Sequence, residues 1–107
     1  MAEVSPAPAD LTVTPSVEDG VHVLALSGEL DMSNTDTLKA AIAASGAQGS
    51  GRLVFDVGDL RFIDSAGIAV LLEAAERIGS VSLRSPPPVV RRVIELTGLT
   101  EVLPFEP

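Results

Sequence analysis

Apolar and polar side chains alternate with period two near the start of the chain, Leu11 and Val13 against Thr12 and Thr14. That pattern is the mark of a half-buried strand. Glu18-Asp19-Gly20 reads as a turn, and residues 21–26 (Val-His-Val-Leu-Ala-Leu) as a second, more deeply buried strand. The chain therefore opens with a β-hairpin. Gly28-Glu29-Leu30-Asp31 ends the second strand, and Ser33 or Asn34 can cap a helix carrying Leu38, Ala41 and Ile42 to about Ser45, with Gly46 as its stop. After a flexible Gly49-Ser50-Gly51 link, residues 52–57 predict a third strand and residues 58–63 a loop. From Asp64-Ser65-Ala66-Gly67 the period changes, with Ile68, Leu71, Leu72, Ala75 and Ile78 at spacings of three and four and Gly79 at the end. This is an amphipathic helix. A short strand over 81–84 leads through three prolines into a last helix, with Pro88 in its first turn and Val89, Val93, Ile94 and Leu96 expected on its buried side. Thr97-Gly98 stops it, and residues 99–105 pack back as an apolar tail.

Strands alternating with helices imply parallel pairing through crossover helices. The predicted architecture is α/β: a mostly parallel mixed sheet of four to five strands, an N-terminal antiparallel hairpin and three main helices packed on it. Residues 1–9, rich in Ala and Pro, read as a flexible tail, and 10–107 as one domain.

Composition narrows the chemistry. The chain has 107 residues, 46% hydrophobic and 21% charged, enough for one core and little more. No apolar run approaches the ~18 residues of a membrane span, and the first residues lack the basic-then-apolar order of a signal peptide, so a cytoplasmic location is expected. Cysteine is absent and His22 is the one histidine, which excludes disulfides, thiolate catalysis and Cys- or His-rich metal sites. The formal net charge is −8, from 15 acidic against 7 basic side chains. Such a field repels nucleic acid and anionic membrane surfaces and suits a partner with a basic face.

In sheets of this class, partner and ligand sites gather at the loops that leave the carboxyl ends of the strands. Two such loops stand out, the one holding Asp31 and the one holding Asp64 and Ser65. If their strands are neighbours, Asp31 and Ser65 share a face. Ser65 falls in the first turn of a helix, where backbone N–H groups are free. A phosphate there would add about −1.5 to −2 charges beside two carboxylates, enough to oppose a docked partner without unfolding the chain. Ser and Asp at a helix start are most often plain caps worth ~1 kcal/mol. A cap and a phosphorylatable serine are compatible, so both readings stand.

Three segments carry a resemblance to a known family: Gly28-Glu29-Leu30-Asp31, then Phe62-Ile63-Asp64-Ser65-Ala66-Gly67-Ile68, then Val93-Ile94-Glu95-Leu96-Thr97-Gly98-Leu99. Together they resemble the STAS domain, and specifically the bacterial anti-sigma factor antagonists, over roughly residues 10–105. The resemblance implies a STAS-like fold and no enzymatic activity of its own. It implies a module that binds an anti-sigma factor when unphosphorylated and is released when that partner, a serine-protein kinase using ATP, phosphorylates Ser65. A PP2C-type phosphatase reverses the modification. The sites implied are Ser65 as acceptor and Asp31, Asp64, Ser65, Ala66, Gly67 and Ile68 as the partner-binding face, with Gly67 allowing close approach and Ile68 offering apolar area. The family also suggests a monomer. Ala66 replaces a second hydroxyl common in relatives, leaving Ser65 the single acceptor of the motif, and Ala69 stands where Gly is frequent.

Other readings are weaker. A STAS module can serve a lipid-transport complex, a stressosome-like scaffold or an anion transporter. A serine hydrolase would need a base, and His22 lies mid-strand, where an exposed histidine is the plainer account. Asp31 and Asp64 could hold magnesium, though two acids on a loop are more often a solvated rim. There is no phosphate-binding G-x-x-x-x-G-K-[ST] loop, and the one lysine, Lys39, sits on a helix surface, as Arg91 and Arg92 do. No cofactor is implied.

Overall fold

A computed structural model describes residues 10–106. The stretch read as an N-terminal tail, residues 1–9, lies outside the described residues. Four strands, β1 (Leu11–Glu18), β2 (Val21–Leu30), β3 (Arg52–Ile63) and β4 (Ser80–Arg84), form one sheet in sequence order. The first pair is antiparallel, and β2–β3 and β3–β4 are parallel. The helices are α1 (Thr35–Ser45), α2 (Ala47–Ser50), α3 (Ser65–Ile78) and α4 (Pro88–Leu96).

The hairpin forms because Asp19 and Gly20 both adopt positive φ, which matches the twist of the strands they join. Pro15, which cannot donate to a ladder, is harmless on the edge strand β1. From β2 onward the core is built in rows. Leu24 lies beside Phe55, and Phe55 beside Leu83, all three fully buried. Both parallel connections step the same way across the sheet. Right-handed crossovers then place α1 and α3 on one face, where Leu38, Ile42, Leu71, Ala74 and Ile78 join the strand rows in a single core.

The C-terminal tail closes the free edge of β4. Leu83 N–H donates to the Pro104 carbonyl at 2.9 Å, and Glu106 N–H donates back to the Leu83 carbonyl at 2.7 Å. Arg84 fastens this strap, reaching Glu106 at 3.3 Å and Glu18 of the hairpin at 2.9 Å. Covering an edge in this way removes a template for unwanted strand pairing.

Several sequence expectations need correcting. The Gly49-Ser50-Gly51 link is largely the helical turn α2, in which Ser50 Oγ donates to the Ala47 carbonyl at 2.9 Å, a short fourth helix beside the three main ones. The loop expected over 58–63 is the second half of β3. Its pairing with β2 resumes after an irregularity around Gly58, and Leu60 and Ile63 point into the core. On α4 the buried residues are Val90 and Ile94, whereas Leu96 is 75% exposed and Val89 46% exposed. Val93 and Ile94 face the core as expected, and Val90 takes the place expected of Val89.

Gly28 is the tightest point between hairpin and site. Its φ is +106°, and a Cβ there would collide with the Asp10 carbonyl oxygen, the acceptor for Glu29 N–H at 2.9 Å. Gly28→Ala is expected to lower stability by about 2–3 kcal/mol through backbone strain and loss of that bond. A lower urea midpoint at unchanged m-value checks it; an unchanged midpoint contradicts the packing described.

Candidate functional site

The site lies where β2 and β3 end side by side. Leu30 pairs with Ile63, and the next residue of each strand turns out of the sheet. Asp64 N–H donates to the Leu30 carbonyl at 3.2 Å, so the two loops are joined at their roots.

Asp64 has extended backbone, the usual geometry of a helix N-cap, and each of its carboxylate oxygens has a different task. Oδ1 accepts from Gly67 N–H at 2.9 Å, satisfying a donor of the first turn of α3. Oδ2 accepts from Met32 N–H at 3.2 Å, across to the β2 loop. One side chain thus caps the helix and holds the opposite loop against it. Ser65, the first helical residue, is exposed, and no hydrogen bond holds its hydroxyl among the described residues.

Asp31 organises its own turn. Its Oδ1 accepts from Ser33 N–H at 2.8 Å and from Ser33 Oγ–H at 2.6 Å. Its N–H donates to Asn34 Oδ1 at 3.1 Å, and Asn34 Nδ2 donates to the Glu29 carbonyl at 2.9 Å. Asn34 was one of two expected caps for α1, but its side chain makes no cap bond there. It is buried and spent instead on closing the loop, a use that the spacing Asp31-x-x-Asn34 permits and that a simple cap reading overlooks.

The structure brings Asp31, Asp64 and Ser65 together on one end of the molecule, with Ala66 half-buried beside them. Gly67 and Ile68 belong to a different layer. A Cβ on Gly67 would stand 2.7 Å from Leu30 Cγ and 3.0 Å from Ile63 Cγ1, so this glycine lets α3 settle onto the ends of both strands. Ile68 is only 8% exposed and joins the core. Helical phase turns both inward: Ile68, expected to offer apolar area, has little of it exposed, and the close approach that Gly67 allows is to Leu30 and Ile63 beneath the face.

Two apolar residues missed by the sequence reading flank the site. Met32 is 79% exposed and Phe62 45% exposed. The available signal was an apolar residue inside a polar turn, and an aromatic at a strand end whose neighbour Ile63 takes the core position. His22 is half-buried rather than exposed. It pairs with Leu53 near the start of β3, at the far end of the sheet from Ser65, which removes it as a base for that hydroxyl.

Known proteins fit this geometry. The family described as "Mlab, STAS domain" matches residues 13–104. The chain is 34% identical over 96 residues to the anti-sigma-F factor antagonist RsfB of Mycobacterium tuberculosis, covering 87% of this chain and 79% of that one. It is 29% identical over 91 residues to an anti-sigma F factor antagonist of Paenibacillus polymyxa, covering 80% and 78%. An anti-sigma factor antagonist from Mycobacterium paratuberculosis superposes with a TM-score of 0.83 at 34% identity, over 92% of this chain and 86% of that one. With its sheet order, its capped Asp64-Ser65 helix start and these relatives, the chain belongs to the STAS domain family.

Proposed function

We propose that this chain is an anti-sigma factor antagonist of the cytoplasm, acting as a monomer, and that Ser65 is its switch. In the unmodified state the face formed by Asp31, Asp64, Ser65 and Ala66, backed by Gly67 and Ile68, docks on an anti-sigma factor and releases a sigma factor from it. The partner is itself a serine kinase. It transfers the γ-phosphoryl group of ATP to Ser65 Oγ: the new O–P bond forms as the bond to ADP breaks, and the hydroxyl proton passes to a base of the kinase. A PP2C-type phosphatase hydrolyses the ester and restores docking.

The observation that carries this reading is the position of the hydroxyl. It is exposed in the first helical turn, next to a carboxylate already committed to capping. A dianion of about −1.5 to −2 charges at that point faces Asp64 directly and has to be desolvated against any docked surface. The names of the relatives support the same partner class. The net charge of −8 suits a partner with basic groups around its contact area.

Intact mass after incubation with the cognate kinase and ATP is expected to show one added phosphate, and none on Ser65→Ala. Phosphate on the Ala variant would place the acceptor elsewhere. Ser65→Ala is expected to hold the anti-sigma factor with the affinity of the unmodified chain, and Ser65→Glu to bind about tenfold or more weakly, since a buried unpaired charge at an interface costs 2 kcal/mol or more. Because the Ser65 side chain is exposed and its hydroxyl makes no hydrogen bond among the described residues, both variants should melt within about 3 °C of the parent, the shift of less than 1 kcal/mol in a domain of this size. A larger drop for the Glu variant would mean that the switch acts by unfolding.

A further inference from the structure

Met32 is the most exposed large apolar residue of the described chain, at 79%, yet it sits in a loop fixed by hydrogen bonds rather than in a loose one. An apolar side chain held in water by an ordered backbone is poorly explained by the fold, which gains nothing from it. It is well explained as an anchor for a partner, since the ordering cost of its backbone is met before binding. Asp31 precedes it in the chain and the Asp64 carboxylate holds its N–H, so the complementary surface is an apolar pocket with basic groups at its rim.

The link from this anchor to the switch is Asp64. Oδ2 holds Met32 N–H at 3.2 Å while Oδ1 holds Gly67 N–H at 2.9 Å, and Ser65 is the next residue along the chain. A phosphate on Ser65 is a stronger acceptor for the free N–H groups of the first turn, and its charge repels the carboxylate beside it. We propose that phosphorylation of Ser65 breaks the Asp64–Met32 hydrogen bond and releases the Met32 loop, so that the switch removes an apolar anchor as well as adding charge. This rests on the reading of Ser65 as the modified residue. It adds a positioning residue, Asp64, and a specificity-determining one, Met32.

Replacement of Asp64 by Asn separates the two tasks. An amide offers one carbonyl oxygen, able to keep the cap on Gly67, and turns an NH₂ donor towards Met32 N–H, where no bond can form. The test is backbone NMR of three forms of the whole chain: unmodified, Asp64→Asn, and the chain with phosphoserine incorporated directly at position 65, which needs no kinase. The Met32 amide is expected to shift upfield and exchange about tenfold faster in the latter two, a local opening of the kind that hydrogen exchange resolves. The Gly67 amide should stay protected in Asp64→Asn. An unchanged Met32 amide in the phosphoserine form overturns the proposal. Loss of Gly67 protection in Asp64→Asn would show that cap and clamp are one unit, and would overturn the division of tasks. Met32→Ala, with an unchanged melting temperature, is expected to weaken binding of the anti-sigma factor about tenfold or more, and Met32→Leu to restore most of it. Equal binding by Met32→Ala overturns the anchor. If instead the phosphoserine chain binds the anti-sigma factor as well as the unmodified chain, the fault lies with the proposed function and not with the clamp.

Discussion

The site depends on one carboxylate shared between two loops. Strands β2 and β3 end in register, Leu30 beside Ile63, and both loops then leave the sheet. Without a tie they would be independent surface segments. Asp64 makes them one surface by accepting from Gly67 N–H with one oxygen and from Met32 N–H with the other. The glycine at position 67 makes the tie possible, because any larger residue would strike Leu30 and lift the helix start away from the strand ends. Packing therefore sets a distance, and the carboxylate uses it.

The same arrangement would let a small modification at Ser65 have a large effect on association and a small one on folding. Ser65 contributes a hydroxyl to solvent and no side chain to the core. The buried rows Leu24–Phe55–Leu83 and the inward face of α3 carry the fold, and none of them includes Ser65. Charge added at that hydroxyl falls on Asp64 and on whatever is docked outside it. The strap at Glu106 and the Arg84 ion pairs are at a different part of the sheet and close an edge rather than serve the site.

Much of this was legible in the amino-acid sequence, for identifiable reasons. The period-two alternation from Leu11, the Asp19-Gly20 turn and the three-and-four spacing from Ile68 are local signals, and the elements they announce are present. That Asp64-Ser65 opens a helix followed from the same local rules, while the structure decides between them, with Asp64 as cap and Ser65 as first helical residue. What failed was decided by tertiary contact. Leu60 and Ile63 look like loop residues beside Gly58 and Asp59, but pairing with Gly28 and Leu30 keeps them in strand β3. That Gly67 and Ile68 lie beneath the site rather than on its surface is set by how α3 packs on Leu30 and Ile63. Met32 shows in the sequence only as an apolar residue inside a polar turn, and its tie to the site comes from a hydrogen bond to a residue 32 positions away.

On this reading, one phosphate at Ser65 turns association off while leaving the domain folded. Isothermal titration of the anti-sigma factor into the unmodified chain and into the chain carrying phosphoserine at position 65 tests it most directly. Stoichiometric binding by the first, and binding weaker by about a hundredfold or undetectable by the second, is the result expected from burying an uncompensated dianion. Equal affinities for the two forms would contradict the account.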